Sequence, residues 1–381
     1  MSKLEKLIKK LCPNGVEYKE LNTLVDYIQP TKYIVKSTKY NDEYDIPVLT
    51  PGQTFILGYT NEKEGIYNAD KENPIILFDD FTTAFRWINF KFKVKSSAVK
   101  ILIPKNNNIN FRYIFYTMQT IKFDNTQHNR QWISKYSILK IPVPPIEVQN
   151  EIVRILDNFI ELATELEAEL EAREKQYEYY KDKILKFSKK DLNVEWINLG
   201  TYCNRLKGTA ITASKMKEIS ENDGNIKIFA GGKTVTKTSE KNIPKEDIIT
   251  VPNIIVQSRG IIDFIYYDKP CSFKREMWSY TTDNNITLKF IYYYLKNNVK
   301  YFRQRGSQMG SMPQISLDVT EKYKIPILPI EEQERIVSIL DKFDKLCNDI
   351  TQGLPAEIEA RRKQYEYYRD KLLNFKETKN G

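Results

Sequence analysis

One histidine, His128, stands in the whole chain of 381 residues. A zinc site, a serine–histidine–aspartate triad or a histidine acid–base pair would each have to be built on that residue alone, which removes most metalloenzyme and hydrolase classes. Cysteine is scarce too: Cys12, Cys203, Cys271 and Cys347 lie far apart with no CxxC spacing. They read as free thiols of a reducing compartment, the cytoplasm. No apolar run is long enough to cross a bilayer, and the first residues, MSKLEKLIKKLCPNG, carry lysines without the apolar core of a secretory signal. No membrane is expected as a partner.

Catalytic motifs are missing as well. GGKTVT at 231–236 contains Gly-Lys-Thr, but Lys227 stands where a phosphate-binding loop needs its first glycine. No GxGxxG follows a strand, and no Asn-Pro-Pro-aromatic or Asp-Pro-Pro-aromatic tetrad of amino-methyltransferases occurs. Asp79 and Asp80 would suit Mg²⁺, but a lone pair without a following base reads as a strand cap that turns the chain before Phe81. The chain reads as non-catalytic and metal-free. The rival readings are a self-contained Mg-dependent nuclease on that pair and a nucleic-acid-binding structural adaptor.

What is present is a repeat. KIPVPPIEVQNEIVRILDNF at 140–159 returns as KIPILPIEEQERIVSILDKF at 324–343, and EAREKQYEYYKDKILKF at 171–187 as EARRKQYEYYRDKLLNF at 359–375. VEYKELNTL at 16–24 returns as VEWINLGTY at 194–202, with a fainter echo of NNINFRYIFYTMQ (107–119) in NNITLKFIYYYLK (284–296). The order is globular half, helix, globular half, helix. Charge divides likewise: residues 1–145 carry net +7, 146–187 net −5, 188–329 net +8 and 330–381 net −1, giving the total of +9. A polyanionic partner is therefore expected on the globular halves.

The helical segments show a heptad seam. Ile152, Leu156, Phe159, Ala163, Leu166, Leu170, Arg173, Tyr177, Tyr180, Ile184 and Phe187 keep 4-3 spacing without a slip. The second seam runs Ile336, Leu340, Phe343, Cys347, Ile350 and Leu354. It then jumps four residues to Ile358 and resumes through Arg361, Tyr365, Tyr368, Leu372 and Phe375. That stutter coincides with Gly353 and Pro355, a stop and a restart, so a break is expected near 353–355. Each rod needs a partner for its apolar seam, and each supplies one for the other. Arg173 and Arg361 interrupt the seams at equivalent places, either fixing register or snorkelling to solvent. The proline-rich IPVPPIEVQ and IPILPIEEQ read as stiff joints.

The globular halves read as mixed α/β, with strands expected at 73–78, 90–94, 247–251 and 261–267 and one helix each near 111–121 and 288–300. Basic, aromatic and amide residues cluster late in each half, in FDNTQHNRQWISKYS (123–137) and YFRQRGSQMGSMPQIS (301–316). Arginine forks suit guanine and amides suit adenine, while small Gly and Ser positions let the backbone approach phosphate. Candidate nucleic-acid contacts are Arg86, Lys93, Gln127, Asn129, Arg130 and Gln131 in the first half. In the second they are Lys233, Arg259, Lys274, Arg303, Arg305 and Gln308.

Taken together, the doubled PPIEVQNEIVRILDNF and GLPAEIEARRKQYEYYRDKLLNF segments resemble the specificity subunit of type I restriction–modification systems, over essentially the whole chain. NIIVQSRGIIDFIYY, with Arg259 and Gly260, is similar to a recurring strand–turn of that family's recognition domains, while the first half departs from it with PIILFDDFTTAF. The resemblance implies an α+β fold: two mixed α/β target recognition domains (1–145 and 188–329), each followed by a long helical spacer (146–187 and 330–381). The helices would pair as an antiparallel coiled coil, giving a pseudo-twofold tandem repeat. It implies a bipartite, asymmetric double-stranded DNA target and two methyltransferase subunits that bring S-adenosylmethionine. It also implies restriction subunits that use ATP and Mg²⁺, with no cofactor held by this chain.

Overall fold

The structure is a computed structural model describing residues 2–50, 54–106, 108–124, 129–188, 194–232, 234–309, 312–349 and 351–378, with 307–309 described by their backbone. The chain forms two compact units, Met1–Glu165 with Ile358–Gly381, and Leu166–Glu357.

The first unit runs α1 (Lys3–Leu11), β1 (Glu17–Glu20), α2 (Leu21–Leu24), β2 (Val25–Ile28), β3 (Ile46–Leu49), β4 (Ile56–Thr60), β5 (Ile75–Asp79), β6 (Phe85–Ile88), β7 (Lys93–Val94), β8 (Val99–Pro104), α3 (Phe111–Met118), β9 (Lys140–Val143) and the start of α4 (Ile146–Ile184). Its sheets are β2-β8-β5-β6, β4-β3-β7 and β1-β9. Every residue of β5 is buried, so this strand is apolar on both faces, where an alternating strand would solvate one. Ser2 and Glu5 form a reciprocal capping box that starts α1.

The second unit runs β10 (Glu195–Asn198), α5 (Leu199–Tyr202), β11 (Asn204–Lys207), α6 (Ala213–Glu218), β12 (Ile226–Phe229), β13 (Val235–Thr238), β14 (Asn253–Gln257), β15 (Asp263–Tyr267), β16 (Cys271–Phe273), β17 (Trp278–Thr281), α7 (Asn285–Asn297), α8 (Val299–Arg305), β18 (Ser307–Met309), β19 (Met312–Gln314), α9 (Leu317–Glu321), β20 (Lys324–Ile327), α10 (Ile330–Asn348) and the start of α11 (Leu354–Leu372). Its sheets are β11-β17-β14-β15, β13-β12-β16, β10-β20 and the added β18-β19 hairpin. The first three orders reproduce those of the first unit strand for strand. PIILFDDFTTAF, which departs from NIIVQSRGIIDFIYY in sequence, therefore occupies the same hairpin, β5–β6 against β14–β15.

The faint echo between 107–119 and 284–296 has a structural cause. Asn110 accepts from the amides of Arg112 and Tyr113 to start α3, and Asn284 accepts from Ile286 and Thr287 to start α7, the same side-chain cap in both units. The joints are locked alike: the buried amides of Gln149 and Gln333 donate to the carbonyls of Pro144 and Leu328, each at 2.7 Å.

Two strand expectations change. Over 90–94 only Lys93–Val94 is strand, because β7 meets β3 in parallel over two residues. Over 247–251 there is no strand: a 3₁₀ turn (Lys245–Asp247) leads to a single bridge from Ile249 to Cys271. Pro244 and Pro252, which lack amide donors, bound the segment.

The seam finds its partners inside each unit. In the first, Phe159 stacks on Tyr368 at 5.3 Å between ring centroids. Ile155 and Leu372 line the same groove as this pair. In the second, Tyr177 and Tyr180 stack on Phe343 at 5.8 and 6.2 Å. Leu156 and Leu340 are fully buried in their units, and Leu166 and Leu170 are half-buried. Arg173 bonds Gln176 and Glu169, and Arg361 bonds Gln364, on their own helices.

Between Asn348 and Leu354 the helix is interrupted. Gly353 donates to the Asp349 carbonyl, and a Cβ there would come within 2.7 Å of the Lys345, Leu346 and Asp349 carbonyls, so glycine is required by space. Ile350 of the expected seam lies outside the described residues.

Candidate nucleic-acid interface

Each unit gathers four loops at one place. In the second, the β14–β15 turn holds the cluster together. The Ser258 carbonyl accepts from Ile315 N at 3.0 Å, the Ser258 hydroxyl donates to the Glu276 carbonyl at 3.1 Å, and Gln257 donates to the Gly232 carbonyl at 2.6 Å. Lys274 N donates to the Phe229 carbonyl at 2.9 Å. Loops 229–232, 257–262, 274–277 and 312–315 thus form one surface.

The first unit builds the same surface with different chemistry. The Asp80 carbonyl accepts from Gln131 N, Asp80 N donates to the Ala98 carbonyl, and Lys95 N donates to the Leu49 carbonyl, each at 2.8 Å. The Asp80 carboxylate, 1% exposed, also accepts from Trp132 N at 2.8 Å and pairs with Lys100 at 3.4 Å and Arg130 at 3.5 Å. Asp79 accepts from the amides of Phe81 and Thr82 and the Thr82 hydroxyl. Both carboxylates are therefore bonded into the turn, as the cap reading expects. Thr83, at φ 60, occupies the left-handed region in this turn, a strained conformation for a β-branched residue.

Of the candidates, Arg130 and Arg259 stand in the loop cluster of their own units at different positions. Arg259 is in the β14–β15 turn, where the first unit has Phe81, and Arg130 is in the late loop, where the second unit has Gln314, since Gln131 N on the Asp80 carbonyl matches Ile315 N on the Ser258 carbonyl. Arg130 is tethered by Asp80 and lies over the Phe81 ring at 5.7 Å, and Arg259 donates through Nε to Gln314 at 3.1 Å. Both guanidinium groups are oriented and exposed, as a base-reading fork requires. Asn129 is exposed beside Arg130, Arg86 lies exposed over the Phe55 ring, and Lys274 pairs with Glu276 at 2.7 Å in its turn. Arg303 donates to the Ile262 carbonyl at 3.0 Å, so it props the same hairpin, and Arg305 stacks on Tyr301 at 3.6 Å. The backbone of Gln308 lies in β18. Gln127 and Lys233 lie outside the described residues, as does His128.

Two candidates are corrected. Lys93 is 1% exposed: its ammonium donates to the Glu64 carbonyl at 2.6 Å and pairs with Glu62 at 3.0 Å, so it is spent inside the unit. Gln131 is likewise buried, its side chain bonding Asn129 and its amide Asp80. Neither presents a donor to an outside ligand.

Several cations escaped the sequence reading. Arg205, Lys207 and Arg275 line a cleft of about 590 Å³ with Asp247 and Trp278 in the second unit, and Lys95 begins the equivalent turn in the first. Arg275, inside the FKREM turn, had a legible signal. Lys207 had none, because its place depends on Gly208, where a Cβ would stand 2.0 Å from the Phe273 carbonyl.

The cysteines are all buried thiols. Burial pushes Cys203 up to about 12 and Cys271 up to about 11, so these two carry no thiolate chemistry. No helix among the described residues is long and apolar enough to cross a membrane.

Comparison with known proteins agrees with this reading. The family model for the type I restriction modification DNA specificity domain matches twice, over residues 13–173 and 181–360. The chain is 42% identical to the EcoR124I/EcoR124II type I restriction enzyme specificity subunit of Escherichia coli, over 98% of this chain and 97% of that one. It is 29% identical to a putative specificity subunit of Haemophilus influenzae, over 98% of each. Its fold matches the type I restriction–modification S subunit of M. genitalium at TM-score 0.61, covering 95% of this chain and 97% of that chain at 17% identity. A chain from a structure describing complex assembly in the type I system matches at 0.55, over 96% and 98% at 14% identity. With matching loop surfaces in both units and the family domain recurring over both, the chain belongs to the type I restriction–modification DNA specificity family, the non-catalytic DNA-recognition subunits of these systems.

Proposed function

We propose that this chain reads a bipartite, asymmetric site in double-stranded DNA, one half-site per unit, and that it positions two methyltransferase subunits and the restriction subunits on that site. One observation carries this reading. The two units share strand order and loop cluster, yet present different tips: Arg130 tethered by a buried carboxylate beside Phe81, and Arg259 tethered by an amide beside Ile261. A common frame with divergent tips suits two readers of different half-sites.

Residues 1–145 and 188–329 are read as target recognition domains, with 146–187 and 330–381 as spacers. The methyltransferase subunits dock on the spacers, where Tyr179 and Tyr367 stand 61% and 60% exposed at repeat-equivalent positions. Large exposed aromatics kept twice on a helix face suit a protein interface. S-adenosylmethionine belongs to the methyltransferase subunits, and ATP and Mg²⁺ to the restriction subunits. The assembly works in the cytoplasm, where its DNA lies.

Methylome sequencing of cells with and without the gene tests this. A split, asymmetric adenine-methylation motif that vanishes with the gene is expected. An unchanged methylome, with DNA cleavage by the purified chain and Mg²⁺ alone, would favour the nuclease reading instead.

A further inference from the structure

The recognition surface of the second unit carries an apolar patch beside its arginine. Ile261 and Met312 are 44% and 50% exposed. Both sit at the tip around Arg259. Gly260 N donates to the Pro313 carbonyl at 2.9 Å, Arg259 bridges to Gln314, and the space a Cβ would take at Gly260 lies 4.0 Å from Met312 Sδ. Gly260 holds φ +76, which brings Ile261 round the turn, and across the tip a Cβ on Gly232 would meet nothing within 4 Å. Two large exposed apolar side chains thus stand at the tip beside Arg259, with Lys274 in the adjoining turn.

A surface that met only phosphate would be polar throughout. In the major groove the apolar feature on a base edge is the C5-methyl of thymine, while guanine offers the acceptors an arginine fork takes. We infer that Ile261 and Met312 receive a thymine methyl group beside the base contacted by Arg259, making them specificity-determining residues of the second half-site. The first unit lacks this pair at its tip: there Phe81 lies under the Arg130 guanidinium. The inference rests on the proposed reading that the second unit binds DNA.

The test uses the chain assembled with its methyltransferase subunits and duplexes carrying the methylome-defined target. The second half-site is the one whose recognition Arg259→Ala relaxes. Each of its thymines is replaced in turn by uracil, which removes only the methyl group. At one position binding is expected to weaken about fourfold, as for loss of one buried methylene-sized group. Ile261→Ala with Met312→Ala should weaken binding to the thymine duplex and remove its advantage over uracil. Both side chains are exposed, so folding should be unaffected, which a thermal melt checks.

If Arg259→Ala relaxes one half-site but every uracil duplex binds like its parent, DNA reading stands and this inference is overturned. If no half-site relaxes, the underlying reading of the second unit fails with it. A double variant that keeps thymine discrimination but no longer assembles with methyltransferase would make the patch a protein dock and overturn the inference.

Discussion

Asp341 accepts the hydroxyl proton of Tyr293 at 2.5 Å and the ammonium of Lys289 at 2.6 Å. Asp157 takes the same pair of bonds from Tyr116 and Arg112 in the other unit. This is why ILDNF and ILDKF are kept while the surrounding globular sequence drifts: the aspartate pins the domain helix, α3 or α7, to its spacer helix, α4 or α10. Burial and the neighbouring carboxylate push the Tyr293 phenol far above its ordinary value, so it stays a donor at any working pH. Asp341→Ala leaves a buried hydroxyl unpaired and should lower stability by about 1–3 kcal/mol. Urea melts measure this. A double-mutant cycle with Tyr293→Phe should show coupling, and strict additivity would mean that the contact does not act as a pin.

Acid should loosen the N-terminal helix before the rest. Glu151, 4% exposed at its side chain, is held down to about 2 by its bonds to Arg154 and Lys3, and Lys3 lies in α1. A carboxylate lowered in the folded state contributes stability above its unfolded value near 4.3, lost as pH falls toward about 2. Amide exchange corrected for intrinsic rate should show α1 losing protection over that window, and Glu151→Gln should abolish the pH dependence. Protection that is flat with pH in the wild type would rule this out.

The helical seam was legible because a heptad is a local pattern: every residue from Ile152 to Phe187 could be assigned by counting. The loop surface was only partly legible. Arg130 and Arg259 stood out by composition, but Lys93 and Gln131 did too, and both are buried. Nothing in FKFKV says that the Lys93 ammonium turns inward to Glu62 and Glu64, residues some thirty positions away that only tertiary folding brings near. The shared strand order was illegible in PIILFDDFTTAF, since topology is held by burial of β5 and β14 and not by turn identity.

Removing either tethered arginine should relax one half of the target and leave the other intact. Arg130→Ala is expected to lose discrimination in the first half-site and Arg259→Ala in the second, each by about 1–3 kcal/mol, or roughly fivefold to 150-fold. Lysine at either place should restore affinity through charge but not discrimination, because it lacks the fork. Competition binding with half-site variants reads this directly. Equal weakening on all sequences would make these arginines phosphate contacts.

Lys93→Met should cost stability without touching recognition. It strips Glu62 of its ion pair. Burial raises that carboxyl's pKa, but the Ser37 and Lys36 amides and the Lys93 ammonium together hold it below its usual value. Breaking one side of a largely buried pair is destabilising by about 3 kcal/mol. The methylation motif of the variant should be unchanged. A stable variant with a degraded motif would return Lys93 to the DNA surface.

Lengthening α4 should change the spacing of the DNA target. The helix is continuous from Ile146 to Ile184, and its residues belong to the first unit through Glu165 and to the second from Leu166. Four residues inserted within Ala163–Glu174 add about 6 Å of helix, which corresponds to one or two base pairs at about 3.4 Å each. The insertion falls between the two stacked pairs, Phe159 on Tyr368 and Tyr177 on Phe343, and disturbs neither. Four residues in a heptad seam are a stutter, so the coil unwinds locally across the new segment while the flanking stretches keep their own pairing. The half-sites should then read as before while the unread stretch between them grows by one or two base pairs. An unchanged spacer in the methylome of the insertion variant would show that the helix does not set the distance, and loss of one half-site would show that it sets orientation instead.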